Sequence, residues 1–169
     1  MLRLLPLLLF ALAVPAQAQI GIVAYGGYDT GASTAIAGVG GEFGLPIDAP
    51  IALAIRATAE YVAPTTVVIE ARDFNREVRQ AHLDLLGAFG AGTVTPYAGL
   101  GVAFASEKLD TADDDTVEGD QDRTSTRIGA NVIAGASVAL GPVAPFAQAR
   151  LTLSEETAVT VMGGLTVGF

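Results

Sequence analysis

The 169-residue chain has no cysteine, so no disulfide can form in it and a cysteine-linked lipid anchor is excluded. Basic residues are scarce. There are 9 Lys and Arg against 18 Asp and Glu, a formal net charge of −9, and so acidic a chain is a poor partner for nucleic acid. Long apolar runs are also few. One is present, over residues 4–14, and it is about half the length of roughly 20 residues that a membrane helix needs. Helical spacing of apolar residues is missing after Gln19, where no useful window follows a period near 3.6. A bundle of membrane helices and a disulfide-stapled secreted domain are thereby set aside.

The apolar run has a context of its own. Met1-Leu-Arg3 is a short basic start, and Pro15-Ala16-Gln17-Ala18 puts small residues where an A-x-A cleavage site requires them. Residues 1–18 therefore read as a secretory signal peptide. Residues 19–169 remain, enough for one domain and too few for two of normal size.

What the remainder has in abundance is period-2 alternation, the signature of half-buried strands. Eight strands are expected, over residues 20–28, 34–45, 51–62, 78–90, 97–106, 123–140, 146–153 and 158–169. Pro46 and Pro50, Pro96, and Pro142 and Pro145 mark the second, fourth and sixth connections as tight turns. The third and fifth connections are expected to be long and charged, through 72–77 (RDFNRE) and 111–122 (TADDDTVEGDQD). Short turns on one side and long loops on the other are the asymmetry of a small outer-membrane barrel with its N-terminus in the periplasm.

The alternation also assigns faces. Residues 51–62 set Ile51, Leu53, Ile55, Ala57, Ala59 and Tyr61 against Arg56, Thr58 and Glu60. Residues 78–90 set Ala81, Leu83, Leu85 and Phe89 against Gln80, His82 and Asp84. The strand at 20–28 is too rich in glycine for its facing to be assigned. A soluble barrel would turn the polar face to water, but such a surface needs roughly a quarter to a third of its positions charged. Here the polar faces carry only Glu42, Arg56, Glu60, His82, Asp84, Glu107, Arg127 and Arg150, diluted by small residues. Sparse charge of both signs suits the crowded lumen of an eight-stranded barrel. The expected fold is all-β, an eight-stranded antiparallel transmembrane β-barrel of the outer-membrane type with outer-membrane lipid around it.

The last strand supports this reading. Val159, Val161, Gly163, Leu165, Val167 and Phe169 share one apolar face, as suits a strand paired at both edges with lipid outside it. Phe43, Phe89 and Phe169 fall near the turn ends of the lipid face, and Tyr61 and Phe104 near its outer ends, as two sparse interfacial girdles.

Residues 95–104 (TPYAGLGVAF) and 144–150 (APFAQAR), each following a proline turn, together with Gly168-Phe169, resemble the outer membrane protein beta-barrel domain family of small OmpA-, OmpX- and OmpW-like barrels. The resemblance covers essentially all of 19–169. It implies the barrel architecture and recognition of the C-terminal strand, with Phe169 as assembly signal, by the barrel-assembly machinery. It is nearly silent on activity, since such a family includes structural anchors, adhesins and small-molecule conduits. No peptidoglycan-binding segment is appended, so a tethering role is not implied.

His82 and Asp84 are the pair closest to catalytic chemistry, being two apart on one strand face and so able to meet Arg56 or Glu60 next to them. Outer-membrane lipid A deacylases of this architecture use a His-x-Ser pair, and Asp84 stands where that serine would be. The expected role of Glu42, Arg56, Glu60, His82, Asp84, Glu107, Arg127 and Arg150 is a lumen ion-pair network, because buried charges must be paired. No cofactor and no enzymatic centre are expected. The acidic residues between Asp110 and Asp122 supply hard oxygen ligands of the kind Ca²⁺ or Mg²⁺ takes, yet their spacing fits no EF-hand, and a solvated charged loop is the simpler reading. The function expected is a structural or surface-interacting role in the envelope. A narrow conduit or binding pocket for a small solute stays open as the alternative, and the sequence names no external partner.

Overall fold

The computed structural model describes residues 19–47, 51–69, 72–90, 92–111, 123–155 and 157–169. Residues 1–18, where a signal peptide is expected, and most of the acidic segment, 112–122, lie outside the described residues. Eight strands follow one another: β1 (Ile20–Asp29), β2 (Thr34–Leu45), β3 (Ala52–Ile69), β4 (Arg72–Ala88), β5 (Val94–Thr111), β6 (Arg123–Val138), β7 (Val143–Leu153) and β8 (Ala158–Gly168). Each pairs antiparallel with the next, and β8 returns to β1 from Gly21↔Gly168 to Asp29↔Thr160, closing the barrel. Closure satisfies both edges of every strand along the shared ladder, and this is what lets a sheet stand in lipid.

Alternation sorts the side chains as expected for such a wall. Leu100, Ile128, Val39, Val161, Ile22 and Leu83 point outward and are at least half exposed, Ile128 by 67%. A water-soluble monomer does not carry a continuous apolar belt of this kind. Among the residues whose side chains are described, outward charge lies at the loop end, at Glu77, Arg79, Lys108 and Glu155. Tyr61 and Phe104 stand outward toward the loop end, and Phe89 and Phe169 outward at the turn end.

The third connection departs from expectation. Residues 72–77 are not a loop: β3 continues to Ile69 and β4 begins at Arg72, paired Ile69↔Arg72 through Thr65↔Arg76. Thr65-Thr-Val-Val-Ile69 is a run of β-branched residues that favours an extended chain. Charge on the facing segment does not prevent the backbone pairing. The register shifts between Val62 and Thr65, leaving Ala63 and Pro64 outside the ladder. Pro64 lacks the N–H that ladder pairing would use, so a bulge is where a strand proline belongs. Pro96 and Pro145 also prove to lie just inside β5 and β7, not within the turns. As a result β3 to β6 have 16 to 18 residues, whereas β1, β2, β7 and β8 have 10 to 12.

Glycine on the lumen face makes room for the side chains that fill it. A Cβ on Gly38 would collide with the Tyr25 ring, and one on Gly101 with the Asp84 carboxylate. The facing of β1, which the sequence left unassigned, is thereby set: Val23, Tyr25 and Asp29 point inward.

Candidate functional site

The bore is filled in three layers, each reaching across from wall to wall. Nearest the short turns, Arg56 of β3 donates from Nε and Nη2 to Glu42 Oε2 at 2.8 and 2.5 Å, and from Nη1 to Gln148 Oε1 of β7 at 3.0 Å. Tyr97 donates its hydroxyl to the same Gln148 oxygen at 2.9 Å. The guanidinium carbon lies 5.7 Å from the Tyr97 ring centroid and 5.1 Å from that of Phe146, within cation–π range of both.

The middle layer centres on Glu60. Its Oε2 accepts Arg150 Nη2 at 2.6 Å and the Tyr25 hydroxyl at 3.0 Å. Both charged side chains are shut away, Glu60 at 0% and Arg150 at 2% exposure. His82 Nε2 stands 3.9 Å from Glu60 Oε1. On its other side, Asn131 Nδ2 lies 3.1 Å from His82 Nδ1 and donates to Asp84 Oδ1 at 3.0 Å, while Thr152 donates to Asn131 Oδ1 at 3.1 Å.

The third layer faces the long strands. Glu107 is held between Arg76 Nε at 2.8 Å and Arg127 Nη2 at 3.3 Å. Across the barrel Asp29 accepts the Ala32 amide at 2.8 Å and the Thr160 hydroxyl at 3.0 Å.

β3 and β7 are four strands apart in a closed ring of eight, so they are opposite walls. Arg150–Glu60 and Arg56–Gln148 therefore span the diameter, as an interior just wide enough for side chains allows. Every residue singled out for the lumen projects inward. Arg56 lies with Glu42, Arg150 with Glu60 and Arg127 with Glu107, while Asp84 takes an amide, Asn131, as its hydrogen-bond partner. Sequence reasoning missed Tyr25 and Asp29, hidden by the glycines of β1, and Arg76, placed in a loop. Asn131 and Gln148 sit on the inward faces of β6 and β7, and the bonds they make across the bore are not a local property of either strand.

For chemistry the middle layer offers little access. His82 and Asp84 are each 3% exposed and are held by Glu60 and Asn131 in the closed bore. Among the described residues no group of three His, Asp or Glu side chains is placed to hold a metal.

An apolar belt around a polar, plugged bore is the arrangement of a small outer-membrane-type barrel, and known structures agree. The chain superposes on the N-terminal β-barrel domain of OprF from Pseudomonas aeruginosa with a TM-score of 0.62 at 16% identity, over 89% of this chain and 97% of that one. Ail, the attachment invasion locus protein of Yersinia pestis, gives 0.57 at 13% identity over 90% and 96%. The outer membrane enzyme PagL gives 0.52 at 14% identity over 87% and 98%. At these identities the likeness is one of fold. The sequence matches no family model and no curated protein.

Proposed function

We propose that this chain resides in a bacterial outer membrane as a plugged eight-stranded barrel whose role is structural or surface-interacting, not the passage of solutes. The observation that carries the reading is the Arg150–Glu60 contact of 2.6 Å between opposite walls, with both side chains sealed from solvent. The outward belt of Ile22, Val39, Leu83, Leu100, Ile128 and Val161 supports the lipid setting. Residues 1–18 serve as the signal peptide on this reading, and Phe169 on the last strand as the signal to the barrel-assembly machinery. The set Glu42, Arg56, Glu60, His82, Asp84, Glu107, Arg127 and Arg150 acts as a structural network, and catalysis has no part in it.

One fold neighbour, Ail, has been solved with the heparin analogue sucrose octasulfate. If the outer end of this barrel also meets a partner, the acidic run from Asp110 to Asp122 would repel such a polyanion. Planar-bilayer recording of the refolded chain tests the reading. Little or no conductance is expected, with leakage after Arg56→Ala or Arg150→Ala, and steady channels in the intact protein would overturn it.

A further inference from the structure

Beyond the plug, at the end bearing the short turns, the bore widens into a vestibule of about 590 Å³. That is within the range of small-molecule sites, roughly 300 to 1,000 Å³. Leu86 and Phe146 give it apolar walls, and Glu42, Arg56 and Tyr97 form its floor. We propose that this vestibule binds a small organic cation, a primary ammonium carried on an apolar or aromatic body, with Glu42 receiving the ammonium.

The floor is one-sided in what it exposes. Arg56 bonds through Nε and Nη2 to Glu42 and through Nη1 to Gln148, the Tyr97 and Phe146 rings lie against it, and its side chain is only 7% exposed. An anion arriving there would meet little guanidinium surface. Glu42 is engaged through Oε2 alone, so Oε1 keeps its accepting capacity, and the side chain is 25% exposed in the vestibule lining. A carboxylate oxygen open to the vestibule and apolar walls above it match a cationic head on an apolar body.

The site is blind, ending at the Arg56 layer, so it goes beyond the plugged-barrel reading without depending on any conduction. Conductance tests the plug and a titration tests the vestibule, and either can fail alone.

The refolded chain in phosphatidylcholine nanodiscs is titrated with benzylammonium, and separately with benzoate and benzyl alcohol, following the backbone amide resonances of Gly21 and Gly44 at the vestibule wall. Saturable shifts are expected with benzylammonium in the millimolar range, and binding about tenfold weaker or less for the other two probes. Ala54→Phe, which fills the vestibule and leaves the floor intact, should abolish the shifts. Glu42→Gln should bring benzylammonium down to the level of benzyl alcohol. Benzoate binding as tightly as benzylammonium, unchanged binding in Ala54→Phe, or no saturable binding of benzylammonium would each overturn the proposal. Should Glu42→Gln fail to fold, the probe series and Ala54→Phe decide alone.

Discussion

Tyr97 of β5 occupies the space above Gly135 of β6, where any Cβ would run into its ring. From there its hydroxyl reaches Gln148 on β7, and Gln148 in turn holds Arg56 from β3. A missing side chain on one strand thus lets three others connect.

Gly135→Val should displace the Tyr97 ring and loosen the Arg56 layer, with a loss of about 1 to 3 kcal/mol typical of overpacking. Urea titration in lipid vesicles measures it. Gly163, whose outward position leaves 3.6 Å to the nearest atom a Cβ would meet, is the comparison site, and Gly163→Val should cost distinctly less.

Removing one partner of the sealed pair leaves a buried charge alone. Arg150→Met should destabilise the barrel by about 3 to 5 kcal/mol, and adding Glu60→Gln should recover a good part of that. A double variant no more stable than Arg150→Met would show that the two side chains act separately.

Leu83 faces out from the middle of β4 and is 50% exposed. Leu83→Arg should cost about 2 to 4 kcal/mol if the residue lies near the bilayer midplane. Denaturant titration in vesicles without any penalty would reverse the assignment of inside and outside.

Phe169 is 78% exposed, and its amide bonds to the Ile20 carbonyl at 2.8 Å. Phe169→Ala should lower the yield of assembled barrel in membrane fractions while leaving the unfolding midpoint of the folded protein nearly unchanged. Heat-modifiable gel mobility reports the yield, and an undiminished folded fraction would remove Phe169 from the assembly step.

The strands and their faces were legible because alternation is a local property: Arg56 and Glu60 are two steps from Thr58 and must share its side. The upper hairpin was not legible in the same way. Arg72 to Glu77 carry charge that reads as a loop, and only the facing run from Thr65 to Ile69 turns them into a ladder. Glycine obscured β1, since an alternation of Gly26 and Gly27 with Tyr25 and Tyr28 has no apolar side to show. Which inward residues meet across the bore was beyond the sequence altogether. Glu60 and Arg150 are 90 positions apart, and their meeting depends on the stagger between walls, a property of closure and not of either strand.

His82 is the sole histidine of the chain, and its ring sits between Asn131 and Glu60 in the middle of the bore. The protein therefore carries its own spectroscopic reporter in the sealed part of its interior. One pair of imidazole nitrogen resonances, in uniformly nitrogen-labelled protein and without any substitution, follows the hydration of the bore directly. Slow exchange of the ring proton signals a dry barrel, and fast exchange marks the first water to pass Arg150.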